Sequence, residues 1–333
     1  MSFIPAWWLP GPHLPTLWGK FFRRFPPLPT RVERWDTPDD DFVDVVRLDA
    51  AAGAPRLFIL HGLEGTARSH YARALMHEAH RRGWGAELLL FRGCGPELNR
   101  TRRFYHSGET EDARFALARI AAAHPTSPLV AAGVSLGGNV LLKLLGEWGD
   151  EPPAYLRAAA AVSVPFDLAR SSRHVDRGFA RVYQWHFLRT LRRKARAKQT
   201  RIPDLLAAGA IDRADTIWAF DDHVTAPLHG YRDAVDYYER ASALGWLRGV
   251  RVPTLLLSSF DDPFLPPTVL DEVRAIAARN PALHLELVPR GGHAGFVAGP
   301  TPWRARYYME GRVADHLQRY LEPGTGNPAP GAD

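Results

Sequence analysis

The sequence predicts an α/β fold, a mostly parallel sheet with helices on both faces and an inserted helical cap. Three observations predict it. Short apolar runs recur along the chain, and most are followed by a segment of helix length, the pattern of buried strands alternating with covering helices. The runs end in polar or glycine-rich residues, and open α/β sheets place their sites at those strand ends. The rhythm breaks once, between residues 165 and 251, a stretch far longer than a plain crossover needs.

Taken in order, the first 30 residues carry Trp7, Trp8, Trp18, Phe21, Phe22 and Phe25 among prolines at 5, 10, 12, 15, 26, 27 and 29. Prolines break long helices, so this segment reads as an extended arm packed on the domain. Strand candidates follow at 31–35 and 42–48, joined by the turn-rich TPDDD. The apolar runs 57–60, 86–91, 129–134, 158–164, 254–258 and 284–288 then form the sheet. Segments 69–82 and 110–124 have helix length. Within 165–251, Phe179, Tyr183, Phe187 and Leu191 recur every fourth residue, a helical spacing, and the stretch reads as a cap over the strand ends. The expected organisation is an arm (1–30), a core (31–164 and 252–321), a cap (165–251) and a disordered tail (322–333) rich in Gly and Pro.

Composition bounds the function. The chain has 333 residues, 46% of them hydrophobic, and a single cysteine, Cys94, which excludes an internal disulfide. It shows neither a basic leader with an unbroken apolar core nor an apolar run of spanning length, so a cytoplasmic protein is expected. The net charge is +6, but it is uneven. From Arg170 to Arg201 there are eleven Lys or Arg against one acid, Asp176. A basic helix with aromatic residues opposite is the pattern of an interfacial helix, which suggests peripheral contact with an anionic membrane. The bland alternative is that the aromatic face packs over the site and the arginines are solvated. No nucleic-acid motif accompanies the charge.

The chemistry centres on Gly133-Val134-Ser135-Leu136-Gly137. An apolar run precedes this G-x-S-x-G and a helical pattern follows, so Ser135 falls on a sharp strand-to-helix turn that would expose its hydroxyl. A serine needs a base oriented by a third group, supplied in this fold in the order Ser, acid, His. Asp262, in Asp261-Asp262-Pro263, is the expected acid and His293, in GGHAGF, the expected base. Asp261 is left to cap the turn. Two backbone donors should form the oxyanion hole, Leu136 after the nucleophile and Leu63 in His61-Gly62-Leu63-Glu64-Gly65. His61 suits a scaffold role, His106 precedes the serine and breaks the order, and His223 and His229 belong to the cap. Cys94 lacks the elbow context of a nucleophile. Asp221, Asp222, His223 and His229 match no standard metal spacing, and no Walker loop, HExxH or GxGxxG occurs, so no metal or cofactor is expected.

The chain resembles the bacterial YheT-like branch of the α/β-hydrolases. The motifs that carry the likeness are DDDFVDV, HGLEG, FRGCG, YHSGET, GVSLGGN, VSVPFDL, FDDHVTAPLHGY, DDPFLP and GGHAGF, spread from Phe42 to Phe296, with HLPTLW in the arm. The resemblance implies hydrolysis of carboxylic or lipid esters without a cofactor, through Ser135, Asp262 and His293. Related eukaryotic proteins act at membranes on acylglycerols or phospholipids. Two rival readings remain open at this point: an acyltransferase using the same triad, and a non-catalytic basic binding protein.

Overall fold

The computed structural model describes residues 3–321; the expected disordered tail lies outside the described residues. Eight strands form one sheet: β1 (Thr30–Asp36), β2 (Phe42–Leu48), β3 (Arg56–Leu60), β4 (Gly85–Leu90), β5 (Leu129–Val134), β6 (Leu156–Val162), β7 (Thr254–Ser259) and β8 (Leu283–Val288). Their spatial order is β1-β2-β4-β3-β5-β6-β7-β8. β2 is antiparallel to both its neighbours, and every pairing from β4 to β8 is parallel. Successive side chains of a strand point to opposite faces. Phe58 and Leu60 accordingly join one core cluster, while Leu57 and Ile59 join the other. Both faces are therefore dry, which is why these strands read as continuous apolar runs.

The helices that cover the sheet include α1 (His13–Phe22), α2 (His70–Arg81), α3 (Glu111–Ala123) and α4 (Leu136–Trp148). The first of these corrects the reading of the arm as extended. Pro12 is the N-cap of α1 and Pro15 lies in its first turn, where backbone N–H groups have no intrahelical partner, so these prolines cost no hydrogen bond. The residues before α1 are extended and pair briefly with the C-terminal part of the chain: Pro5 bridges Ala298, and the indoles of Trp7 and Trp8 donate to the carbonyls of Pro300 and Gly299.

Between β6 and β7 lie α5 (Leu168–Val175), α6 (Ala180–Arg201), the short α7 (Ala210–Arg213) and α8 (Ile217–Phe220), a π turn (Asp221–Thr225), α9 (Ala226–Leu228) and α10 (Ala234–Ala241). Leu188, Ala195, Leu205, Ile211, Phe220 and Val224 make a small core of their own. After α10 the chain returns to the main body, where Ala243, Leu247 and Val250 are buried in the larger cluster. α11 (Pro267–Ala277) and α12 (Met309–Gln318) complete the chain with a two-stranded ribbon, β9 (Val297–Ala298) and β10 (Arg306–Tyr307). No described helix is long and apolar enough to cross a membrane.

Candidate active site

Ser135 lies between β5 and α4 with φ 56° and ψ −124°, a backbone conformation that L-residues rarely hold. The two glycines around it make that turn possible. A Cβ on Gly133 would sit 2.4 Å from the carbonyl oxygen of Gly137, and one on Gly137 2.4 Å from that of Leu60. Helix and strands approach so closely that no side chain fits between them. The Ser135 amide donates to the Val162 carbonyl of β6 at 2.8 Å, so the next strand fixes the turn. The N-terminus of α4 points its free amides at this place.

Asp262 and His293 follow β7 and β8, the strands beyond β6. His293 Nδ1 lies 2.9 and 3.0 Å from the two carboxylate oxygens of Asp262. An ionised carboxylate only accepts, so Nδ1 carries the proton and Nε2 is left free to take one. Asp262 is buried and also accepts from the Phe264 amide. Its neighbour Asp261 acts on the backbone instead. One of its oxygens accepts from the amides of both Gly291 and Gly292, which shapes the loop that carries the imidazole. The same loop is tied to β6 by the Ala294 amide donating to Ser163 Oγ, and to α1 by the His293 amide donating to Thr16 Oγ1. The Phe264 ring packs 4.3 Å from the imidazole and lines the cavity that Ser135 faces.

The loop after β3 offers the second expected donor. The Gly62 amide donates to the Tyr71 hydroxyl, that of Glu64 to the Tyr105 hydroxyl, and that of Gly65 to the Gly62 carbonyl. Among the described residues this leaves the Leu63 amide as the loop's unspent donor. Leu63 and Leu136 both line the cavity beside Ser135. Glu64, held at φ 55°, is clamped from the cap side by Lys194 of α6, whose Nζ lies 2.8 Å from its carboxylate. His61 sits beneath the loop. Its Nε2 accepts from the Phe91 amide, so Nδ1 must donate to the Gly62 carbonyl, and burial lowers its pKa to about 4. It is held neutral as a bracket between two loops.

The remaining candidates have structural partners. Cys94 is buried, and burial pushes its thiol up to about 12. His229, kept neutral by burial, donates from Nδ1 to the Thr225 carbonyl, accepts at Nε2 from the Phe104 amide and packs against His106. Asp222 caps α10 through the Ala234 amide, and His223 stands 3.6 Å from Asp222. No cluster of three or more metal-ligating side chains occurs among the described residues. The basic segment is divided. Tyr183 and Phe187 pack on Phe264, and Leu191 lines the cavity. Lys194 turns inward to Glu64 and Lys198 to Asn99 and the Arg103 carbonyl. The outward face of α6 exposes Val182 and Trp185, with Phe179 at its N-cap, beside Arg181, Arg189, Arg193 and Arg196.

Several supports of the site carry no local signature in the sequence. Thr16 is nearly 280 residues from the histidine it holds. Asn139 of α4 is fully buried, donating to the carbonyls of Ser107 and Ala241 and accepting from the Ala243 amide. Arg92 gathers Asp39, Asp41 and Asp112, which explains two of the sequence motifs, DDDFVDV and FRGCG, as braces for loops.

Comparison with known proteins agrees with this architecture. Residues 55–300 match the model of the α/β hydrolase fold family. The chain is 39% identical to the Escherichia coli esterase YheT over 96% of this chain and 94% of that protein. It is 30% identical to the phospholipase ABHD3 of Mus musculus, covering 97% of this chain and 80% of that one. The medium-chain fatty acid ethyl ester synthase/esterase 2 of Saccharomyces cerevisiae is 31% identical over 73% of this chain and 58% of its own. Among solved structures, the Pyrococcus furiosus esterase Pf2001 superposes with a TM-score of 0.59 at 15% identity, covering 90% of this chain and 98% of that one, a likeness of fold. The chain thus belongs to the α/β-hydrolase fold family and, within it, to the YheT-like branch.

Proposed function

We propose that this protein hydrolyses carboxylic esters, acyl lipids among them, through an acyl-enzyme on Ser135. The observation that carries the reading is the strained Ser135 turn facing a cavity walled by Phe264, the ring that packs on the hydrogen-bonded Asp262–His293 pair. Ser135 Oγ attacks the acyl carbonyl and its proton passes to His293 Nε2. Asp262 holds the imidazole in the Nδ1–H tautomer and stabilises the imidazolium. The amides of Leu63 and Leu136 receive the developing oxyanion. The imidazolium then protonates the leaving alcohol, and water, activated by the same histidine, releases the acid. The cavity encloses about 130 Å³. That is the scale of a hole that takes one benzene-sized molecule, so a short to medium acyl chain is expected. A fluorophosphonate probe tests the serine, and an ester series from acetyl to long acyl tests the chain length. Absence of labelling at Ser135 would overturn the reading.

One observation favours alcohol as a second acceptor: the Saccharomyces relative is named for both synthesis and hydrolysis of ethyl esters. Turnover of an acyl ester with and without added ethanol, with the ethyl ester assayed directly, separates transfer from hydrolysis.

The partner surface we propose is an anionic membrane, met from the cytoplasmic side. Trp7, Phe21 and Phe22 of the arm and Phe179, Val182 and Trp185 of α6 are exposed, and the arm meets α6 where the His13 ring packs 4.6 Å from that of Phe179. Lys20, Arg24, Arg181 and Arg189 are exposed among them. Exposed aromatics rimmed by cations match a charged headgroup layer over an apolar one. Each such cation adds about 1 kcal/mol near an anionic surface. Co-sedimentation with anionic but not neutral vesicles, weakened by salt and by Phe179→Ser with Trp185→Ser, is the expected result. Equal binding to both vesicle types would sink it.

A further inference from the structure

Two cavities lie between cap and body and share one wall. The first is the cavity before Ser135, walled by apolar groups such as Leu63, Leu136, Val175 and Phe264. The second encloses about 20 Å³, room for roughly one water, among Phe104, Val224 and Leu228. Ser135, Leu136 and Phe264 line the first and not the second. Four residues line both: Tyr105, Leu191, Phe220 and Thr225. The Tyr105 hydroxyl is committed to Glu64, and Thr225 Oγ1 to Asp221. Leu191 and Phe220 supply the apolar part of the wall, and Phe220 is the larger. The surrounding chain holds its ring still. Phe220 ends α8, where its amide donates to the Thr216 carbonyl at 2.9 Å. The π turn that follows is braced at Asp221, whose carboxylate accepts from Thr225 Oγ1 and from the Tyr238 hydroxyl, both at 2.7 Å. Asp222 accepts the Ala234 amide. The polar residues of the FDDHVTAPLHGY motif thus frame its single phenylalanine. π turns are rare and frequent at functional sites.

We infer that Phe220 is the stop of the acyl pocket: its ring closes the first cavity against the second and sets the longest acyl chain the enzyme accepts. A chain attached at Ser135 gains from each methylene it buries until it meets the ring. The next methylene must displace an aromatic group packed among Leu188, Leu205 and Val224 in the cap's own core. Close-packed interiors yield little, and overfilling them is destabilising. Without the ring the two cavities join, and further methylenes meet Phe104, Val224 and Leu228. Lys194 and Glu64 also border the second cavity, but they are paired with each other, so an alkyl chain leaves neither charge without a partner.

This inference rests on the hydrolase reading, and the test keeps the two apart. The kcat/KM values are measured for p-nitrophenyl esters of unbranched acyl chains, lengthened one carbon at a time. In the wild type they should rise about fourfold per methylene and then break. The quantity read is the ratio of kcat/KM for the first chain beyond that break to kcat/KM at the break. It should not exceed unity in the wild type and should rise to about four in Phe220→Ala. Phe220→Leu, a smaller loss of volume, should also raise it above unity and serves if the first variant does not fold. Because a ratio is read, a general loss of activity does not imitate the result. Leu205→Ala is the control, since Leu205 packs in the same cap core and lines neither cavity. Its break should stay at the wild-type length. A wild-type profile without a break, a break unmoved in both Phe220 variants, or one that moves equally in Leu205→Ala overturns the stop alone. No hydrolysis of any ester and no fluorophosphonate labelling overturns both readings.

Discussion

The strand ends and the helices above them are held by different means. Around Ser135 and His293 the supports are hydrogen bonds from backbone amides, to the carbonyl of Val162 or to short side chains, and close approaches: Ser135 to Val162, Ala294 to Ser163, Gly291 and Gly292 to Asp261, and glycines where a Cβ would collide. The cap reaches the body through long side chains. Lys194 clasps Glu64, Lys198 reaches Asn99, Arg170 pairs with Glu272, and Arg102 of the body pairs with Asp204. Main-chain contacts fix position to a fraction of an ångström, and catalysis by orientation needs that. Side-chain contacts with several rotatable bonds allow small displacements at modest cost. The body is built to place reacting atoms, and the cap to enclose whatever meets them.

The sharpest break is Ser135→Ala. It removes the proposed nucleophile and leaves the backbone of the turn, so ester turnover should fall by about 10⁶-fold while the urea midpoint stays unchanged. Next is Asp262→Asn, which should cost about 10⁴-fold by allowing the wrong imidazole tautomer. Asp261→Asn should do less to the chemistry and more to stability, because it weakens the loop's two amide bonds. If Asp261→Asn proves more damaging to kcat, the two roles are reversed.

A third effect is a pH dependence of stability. His61 is buried and His70 half-buried, and desolvation lowers their pKa values to about 4 from an ordinary 6.5. Between those values the unfolded chain binds the additional protons, so folding stability is full above pH 6.5 and declines as pH falls to 4. Each group contributes on the order of 3 kcal/mol at most. Urea titrations at about pH 7 and about pH 4.5, either side of most of that fall, should show the loss, and His61→Gln should reduce it. The smallest effect probes the cap: Lys194→Met frees Glu64 and loosens the loop bearing Leu63. A fall in kcat of about tenfold with little change in KM is expected, since an oxyanion donor acts on the transition state. A rise in KM alone would show that Lys194 serves binding instead.

The strands are legible in the sequence because burial on both faces forces continuous apolar runs, and the turns between them carry Gly, Asp and Pro. Ser135 is legible because a strained turn demands glycines at fixed offsets. Asp262 and His293 follow from their order and loop chemistry, and they stand 2.9 Å apart. What is not legible is whatever depends on a distant partner. The helix α1 is hidden because proline reads as a breaker, although at a helix start it is harmless. Lys194 and Lys198 read as surface charge because a sequence does not show which lysines meet a carboxylate or a carbonyl. The cap side of the cavity arises from α5, the π turn and α10 meeting in space.

The contact between Thr16 and the His293 loop has a consequence for biosynthesis. A ribosome delivers α1 well before residues 291–298, and chains are made at about 5–20 residues per second. For that interval Trp8 and Trp18, whose cluster includes Val297, Ala305 and Tyr307, are without the partners that bury them. Contacts this far apart in sequence also slow folding after release. The nascent chain therefore presents an unsheltered aromatic segment until residues 291–298 arrive. Only then does the His293 amide acquire its hydrogen bond to Thr16, so on the proposed mechanism no turnover precedes completion of that contact.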